Sequence, residues 1–221
     1  GMCGRFTLRA APELVAEQFK LFDVGPLAPR FNIAPTQAAL VVRGDGRRRC
    51  DALRWGLIPS WARDASIGAR LINARAETAA EKPAFRAALR RRRCLVPADG
   101  FYEWRRRGKS REPYFIHRRD DRPFGLAGLW ESWEGPDHSV VESFTILTTE
   151  PSALIAPLHD RMPVIIGPEV YDAWLDPGVQ EADAVGSLLA VVGDASLEAY
   201  RVGPYVNNAR HEGPGCIEPQ S

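Results

Sequence analysis

Lysine is scarce in this sequence, and the features that announce several classes of protein are missing. Only Lys20, Lys82 and Lys109 are lysines among the 29 basic residues, and the formal net charge is +1. No overall basic field therefore marks the chain as a nucleic-acid binder. No run approaches the roughly 18 to 20 apolar residues of a membrane helix, and no charged-then-apolar start is typical of a secretory signal. We expect a cytoplasmic protein.

Closely spaced cysteines are also missing. Cys3, Cys50, Cys94 and Cys216 lie far apart without a CxxC pair, which argues against a zinc site. In a reducing cytosol all four are expected to be free thiols. For the last three, a place in the core or on the surface is the simplest interpretation, because a free cysteine behaves as a small hydrophobic residue. We expect no bound metal and no cofactor.

Arginine supplies nearly all of the positive charge. Its planar guanidinium suits bidentate contact with phosphate groups. A genome rich in G and C produces the same bias, so the composition alone leaves both explanations open.

The chain begins GMCGRF, with a glycine before the only plausible initiator methionine. We interpret Gly1 as the remnant of a cleaved tag and Met2 as the initiator, so that residues 1–2 fall outside the domain. Removal of both would leave Cys3 as the first residue, with an amine and a thiol on adjacent carbons. While residues 1–2 are retained, the nitrogen of Cys3 is an unreactive amide.

The hydrophobic pattern predicts one domain over residues 3–221. Short alternating segments predict strands, including hairpins at 38–55 and around 100–118, and helices are predicted from Pro12, at 83–92 and near 168–191. The segment from Pro26 to Thr36 is predicted to be a loop, and that from Trp55 to Thr78 mostly irregular. The elements do not alternate as in a parallel sheet. We therefore predict an α+β fold with a bent or barrel-like antiparallel sheet and peripheral helices.

Polar residues gather in short blocks near strand ends and loops. In GFYEW, Glu103 lies within an otherwise apolar strand. If its side chain points inward, desolvation raises its pKa and makes it a candidate general acid or base; if outward, it is a solvated charge. Alternation along the strand does not decide between the two.

Two other blocks carry candidate polar groups. His159 lies in HDRMP, and a histidine can transfer protons near neutral pH, although a lone histidine is more often structural. Asn73 and Arg75 lie in NARAET, where a capping role and a surface charge explain them equally well.

Taken together, the blocks resemble one family. The ordered set MCGRF, NIAPT, WGLIPSWA, NARAET, CLVPADGFYEW, PYFI, AGLWE, FTILTT, HDRMPVII and VNN is similar to that of the SRAP family, the SOS-response-associated peptidase-like proteins. The resemblance runs from Cys3 to about Glu218.

The resemblance implies a monomeric α+β domain that senses abasic sites in single-stranded DNA and crosslinks to them through an N-terminal cysteine, in a bacterium near the nucleoid. Cys3 matches the crosslinking residue, and Asn73, Glu103 and His159 match the other active-site groups. The remaining matches are the expected DNA contacts: Arg5, Arg75 and Arg161 on phosphates, and Pro35, Trp55 and Trp61 on surfaces that stack on or wedge the strand.

Two further functions stay open at this stage. One is a thiol peptidase that uses Cys3 with His159 and either Glu103 or Asn73; its narrowest form would only remove the residues before Cys3. The other is a module that binds single strands without forming a covalent bond.

Overall fold

A computed structural model describes residues 3–44, 46–189 and 196–221. Within them, the chain forms thirteen strands and four short α-helices. The strands are β1 Phe6–Leu8, β2 Arg30–Ile33, β3 Ala38–Arg43, β4 Arg49–Trp55, β5 Asn73–Arg75, β6 Arg93–Ala98, β7 Gly100–Arg107, β8 Ser110–Arg118, β9 Phe124–Glu134, β10 Val140–Thr149, β11 Met162–Pro163, β12 Ile165–Ile166 and β13 Leu197–Arg201. The helices are α1 Pro12–Phe19, α2 Arg86–Arg91, α3 Tyr171–Leu175 and α4 Ala182–Leu188.

Five strands close into a barrel in the order β4, β3, β6, β9 and β10. All neighbouring pairs are antiparallel except the last, where β10 returns parallel to β4 with Phe144 opposite Trp55. The short strand β5 runs parallel to β10, while β11 pairs with β10 and β12 with β9. The predicted α+β fold with a barrel-like sheet and peripheral helices is confirmed.

A second sheet of five strands has the order β13, β8, β7, β1 and β2. Its β7–β8 hairpin turns at Gly108 and Lys109, which gives seven paired positions from Phe101–Ile116 to Arg107–Ser110. This is the hairpin that the sequence predicts. Strand β7 brings GFYEW beside the N-terminal strand β1, because Phe6 pairs with Phe101.

Aromatic side chains fill the core where the two sheets meet. The Trp55 ring lies 5.1 Å from that of Phe6 in an edge-on contact and 6.2 Å from that of Phe144 in a stacked one. Helix α1 covers another part of the core with Val15 and Phe19. The helix ends at Phe19, and Phe22 beyond it is 92% exposed.

Three strands were not predicted, and each departs from the usual pattern. Strand β2 lies in the proline-rich segment predicted as a loop, and β5 has three residues within the segment predicted as irregular. Strand β6 is buried along its whole length, so it has no alternation to detect, and it contains Pro97. The helix predicted at 83–92 begins later, at Arg86. Asp45 in the first hairpin turn and the end of the last predicted helix lie outside the described residues.

Candidate active site

Cys3 lies beside Glu103 because of the pairing between β1 and β7. Phe6 is opposite Phe101, and the backbone N–H of Tyr102 donates to the carbonyl of Arg5 at 3.1 Å. Continuing this antiparallel register places the residues just before Arg5 along Glu103. Burial raises the pKa of the Cys3 thiol well above its usual value, and the Glu103 carboxylate raises it further. The thiol is therefore neutral at physiological pH.

Glu103 points inward, which answers the question that strand alternation left open. Its side chain is almost fully buried, and its Oε1 atom has no hydrogen-bond partner among the described residues. Burial raises the pKa of Glu103 to about 8, and the nearby Asp160 carboxylate contributes to the rise. At pH 7 this carboxyl group is mostly protonated and can donate a proton; once ionised it can accept one.

His159 stands next to Glu103, with its Nδ1 atom 3.8 Å from Glu103 Oε2 and 3.2 Å from Asp160 Oδ1. The backbone N–H of Arg161 donates to the same Nδ1 atom at 3.0 Å. In the tautomer that accepts this bond, the ring proton is on Nε2; in the other, Nδ1–H donates to the carbonyl oxygen of Arg161, which lies 3.2 Å away. The imidazole is thereby oriented by the backbone of the HDR segment, half-buried beside a neutral acid.

Asn73 lies at the start of β5, and its amide is held by β10 and its own strand. Its Nδ2 group donates to the carbonyls of Ile72 at 3.0 Å and Ile146 at 3.3 Å. The Oδ1 atom is buried without a hydrogen-bond partner. Among the described residues, no hydrogen bond or ion pair joins Asn73 to Cys3, Glu103 or His159.

A cleft of about 420 Å³ opens over Glu103 and His159. Glu103 and Trp104 alternate across β7, so the cleft reaches both faces of that strand. The lining includes residues that the sequence analysis did not select: Trp104, Arg106, Arg111, Leu158 and Asp160. The pairing of the predicted hairpin could have indicated the two arginines, because it sets Arg106 opposite Arg111.

Arg161, which was predicted to contact a DNA phosphate, is buried, and its guanidinium is paired with groups of the protein. Its guanidinium donates to both carboxylate oxygens of Glu77, at 2.6 and 3.0 Å, and to the carbonyl of Thr148 at 2.9 Å. With 7% of its surface exposed, Arg161 holds the HDR segment against β10. Arg75 differs, because its side chain is 62% exposed and lies only loosely, at 3.8 Å, from Glu77. Glu77 belongs to NARAET and was missed as the residue that links the two arginines.

Arg5 anchors the C-terminal segment. Its guanidinium donates to Asn32 Oδ1 at 3.0 Å and to the carbonyls of Val206 at 2.6 Å and Asn207 at 3.0 Å, and it lies over the Trp104 ring. The buried Asn32 donates to the same Val206 carbonyl and to the carbonyls of Asn208 and His211. Half-buried Arg5 therefore has a structural function whether or not it contacts DNA.

The three loop residues predicted to stack on or wedge the DNA strand differ in their exposure to solvent. Trp55 is fully buried, and its indole N–H donates to the carbonyl of Ile72 at 3.0 Å, so the prediction that it stacks on or wedges the strand is wrong. Trp61 is 59% exposed and Pro35 is half-buried. Gly56 turns the chain between the two tryptophans at φ +124°, where a Cβ atom would meet the carbonyl of Gly68 at 2.5 Å. Only glycine suits this turn.

Other predicted positions have simpler settings. Cys216 is buried in a small cluster with Tyr102 and Phe115. Within the described ranges, no group of three His, Cys, Asp or Glu side chains is arranged to hold a metal ion. None of the helices in those ranges is long and apolar enough to cross a membrane. Gly1 and Met2, interpreted above as a tag remnant and the initiator, are outside the described part of the chain.

Glu103 and His159 line the cleft, and Cys3 is buried near enough to Glu103 for that carboxylate to raise its thiol pKa. This arrangement, within a barrel of this topology, agrees with a family match. A family model described as "SOS response associated peptidase (SRAP)" covers residues 2–209. The chain belongs to the SRAP family. The resemblance drawn from the sequence motifs is therefore confirmed.

Relatives of this SRAP protein share most of its length. The abasic site processing protein YoqW of Bacillus subtilis is 43% identical over 222 residues, covering 98% of this chain and 99% of YoqW. The abasic site processing protein YedK of Escherichia coli is 30% identical, covering 99% of this chain and all of YedK. A crystal structure of a protein from Bacteroides thetaiotaomicron superposes with a TM-score of 0.89 at 26% identity, over 99% of this chain and 100% of that one.

Proposed function

We propose that this SRAP protein processes abasic sites in DNA, and that it binds them in single strands and crosslinks to them through Cys3 when Cys3 is the first residue. The observation that carries the proposal is the burial of the Cys3 thiol near the carboxyl group of Glu103, which itself lines a cleft together with His159. The names of YoqW and YedK support the substrate.

The chemistry begins at the amine rather than at the thiol. The sugar of an abasic site opens to an aldehyde, and the neutral α-amine of Cys3 adds to its carbon to give a carbinolamine. Protonated Glu103 then gives its proton to the departing hydroxyl group. Water leaves, the carbon–nitrogen double bond of an iminium ion forms, and Glu103 becomes a carboxylate.

Ring closure uses the same carboxylate in the opposite direction. As the sulfur of Cys3 bonds to the iminium carbon, Glu103 takes the thiol proton, and the nitrogen recovers its electron pair. The product is a five-membered thiazolidine, and the sequence of steps releases one water and restores protonated Glu103. A carboxyl pKa of about 8 suits a group that must both donate and accept a proton near neutral pH.

His159 and Asn73 have supporting functions in this scheme. The Nε2–H of His159 can donate to the ring oxygen of the sugar as it opens, while the peptide N–H of Arg161 holds Nδ1. The unpartnered Oδ1 of Asn73 can accept from a hydroxyl or amine of the intermediate and so hold it in line for attack. Exposed Arg75 and Trp61 are proposed to contact the DNA strand, with the side of Pro35 as a neighbouring surface.

A thiol peptidase is the competing function, and the ionisation of Cys3 counts against it. Such enzymes need a thiolate, which a depressed pKa supplies. Here both burial and Glu103 raise the thiol pKa. The third candidate is a module that binds single strands without a covalent bond. Such a module would have no chemical use for the buried carboxyl group of Glu103.

The test of the proposal compares proteins that begin at Cys3 with single-stranded DNA that carries one abasic site. We expect a heat-stable adduct on a denaturing gel for the parent and none for Cys3→Ala. Cys3→Ser should give at most a labile imine, because its hydroxyl is a poor substitute for sulfur. Cleavage of an unrelated peptide without any adduct would favour the peptidase, and DNA binding without an adduct would favour the non-covalent module.

A further inference from the structure

Two arginines at the tip of the β7–β8 hairpin form a pair on the wall of the cleft. Arg106 and Arg111 are directly opposite each other in the antiparallel register, and both line the cleft that contains Glu103 and His159. The hairpin has a two-residue turn, with Gly108 at φ +60°. Counting outward from that turn, this is a non-hydrogen-bonded pair, in which opposite side chains are closest.

Neither arginine is neutralised by the protein. Across the ranges that the structure describes, neither guanidinium forms an ion pair or a side-chain hydrogen bond, and both side chains are exposed. Arg107 in the same hairpin differs from both, because its guanidinium lies 3.7 Å from the carboxylate of Glu112. Like charges placed directly opposite each other in a sheet destabilise it. The pair therefore carries a cost in the free protein that an anion between the two guanidinium groups would remove.

The position of the pair indicates which anion it would bind. The cleft continues from the hairpin to Glu103 and His159, where the proposed function places the abasic sugar. The phosphates of a DNA strand are covalently joined to that sugar and must leave the cleft along one of its walls. A guanidinium presents a planar fork that matches two phosphate oxygens, and two forks on neighbouring strands can hold one phosphate from both sides.

We propose that Arg106 and Arg111 together clamp one phosphodiester group of the DNA strand whose abasic sugar occupies the cleft. This inference rests on the proposed function for its ligand, but it assigns a separate contact. The pair acts in binding and in fixing the strand, and it takes no part in bond formation at Cys3.

The test uses the double variant Arg106→Gln/Arg111→Gln and a control with equal loss of charge, Arg86→Gln/Arg91→Gln. Arg86 and Arg91 are exposed residues of α2 that do not line the cleft. Affinity for an undamaged single-stranded oligonucleotide is measured by fluorescence anisotropy over a range of salt concentrations. We expect the cleft variant to bind at least about fivefold more weakly than the control variant, with the slope of log K against log salt reduced by about 0.7, the value for one phosphate on a single strand.

A second measurement locates the contact on the DNA. Abasic oligonucleotides carry a neutral methylphosphonate at one phosphate at a time. One position is expected to weaken binding by the parent and the control variant but not by the cleft variant, because the clamp is already lost. If every position affects the cleft variant and the parent equally, or if the control variant loses as much affinity, the proposal is overturned.

Two further outcomes separate the alternatives. If inorganic phosphate at constant ionic strength displaces DNA from the parent, while no methylphosphonate changes its affinity, the pair is a free-anion site and the assignment to the strand is wrong. Because undamaged DNA forms no bond to Cys3, binding and crosslinking are read independently. A normal phosphate effect without any adduct would refute the crosslinking alone, and a normal adduct without a phosphate effect would refute the clamp alone.

Folding does not complicate the comparison. Removing two like charges that face each other should leave the thermal midpoint of the cleft variant equal to or above that of the parent. The control variant Arg86→Gln/Arg91→Gln, whose residues lie outside the cleft, should form the adduct at saturating DNA within about twofold of the parent rate.

Discussion

The Nδ1 atom of His159 lies 3.8 Å from the buried Oε2 of Glu103, which places an oriented imidazole beside a carboxyl group that burial keeps protonated at neutral pH. The two groups differ in what they offer: Glu103 carries a proton that it can give and retrieve, while His159 has its Nδ1 atom held by the backbone of Arg161. The predictions below test this division and the surroundings that maintain it.

Glu103→Gln should slow formation of the adduct by about 10² to 10⁴, the range expected when a general acid or base is removed. The variant keeps the shape of the side chain but cannot donate or accept the proton that the scheme requires. Single-turnover kinetics with a protein that begins at Cys3 measure the effect, and affinity for undamaged DNA serves as the control. A rate equal to that of the parent would remove Glu103 from the mechanism.

The same variant should alter how stability depends on pH. The carboxyl pKa is about 8 in the folded protein and about 4.3 when unfolded, so the folded state retains a proton that the unfolded state loses between these values. The free energy of unfolding of the parent should therefore fall as pH rises from about 4.3 to 8, by at most about 5 kcal/mol from this group.

Glu103→Gln has no such proton to lose. Its stability relative to the parent should increase from pH 5 to pH 8.5, as measured by urea unfolding at several pH values. A difference between the two proteins that does not change with pH would mean that Glu103 ionises normally in the folded state.

The two tryptophans of WGLIPSW should respond in opposite ways. Trp61→Ala should weaken binding to single-stranded DNA by about 1 to 3 kcal/mol, the range for one stacked base, with little change in stability, because the side chain is exposed. Trp55→Ala removes a fully buried ring and should lower the free energy of unfolding by about 3 to 5 kcal/mol. Anisotropy and urea unfolding measure the two effects. Unchanged DNA affinity in Trp61→Ala would exclude its proposed contact.

Glu77→Gln should leave Arg161 buried without its charged partner. We expect the free energy of unfolding to fall by about 1 to 3 kcal/mol, with Glu77 partly exposed and the loss correspondingly moderate. Adding Arg161→Gln should cost less than the sum of the two single changes, because the residues interact directly.

A matched control for Glu77 is Glu17→Gln, whose carboxylate is 72% exposed and 3.6 Å from Arg122. This change should alter stability by less than about 0.5 kcal/mol. Equal effects of the two substitutions, or strict additivity with Arg161→Gln, would show that Glu77 does not hold Arg161.

The sequence supported the general fold and the identity of the main polar groups, but not their orientation. Alternation could place Glu103 on a face with Phe101, but it could not show that β7 is buried on both faces from Gly100 to Glu103. Phe101 packs in the main core, and Tyr102 packs in the smaller cluster with Cys216. Arg161 and Trp55 were assigned to DNA by their place in motifs. Both are instead buried, since a motif also records residues that hold the loops in position.

Physical reasons also explain why the sequence did not reveal the arginine pair and strand β6. Arg106 and Arg111 become neighbours only through the hairpin register, which sets them opposite each other. In the sequence they look like ordinary surface charges. Strand β6 was not predicted, because complete burial removes the alternation by which a half-exposed strand is detected. In contrast, the β3–β4 hairpin was predicted with its observed bounds, because its alternation and its glycine turn are both local.

The central claim is that Cys3 supplies both its nitrogen and its sulfur to one carbon of the abasic sugar. The most direct test is the intact mass of the complex between a protein that begins at Cys3 and an abasic oligonucleotide, before and after treatment with borohydride. The account predicts the sum of the two masses less one water, unchanged by borohydride, because a thiazolidine has no carbon–nitrogen double bond to reduce. A complex that gains two hydrogens on treatment, or one that forms equally with Cys3→Ala, would contradict it.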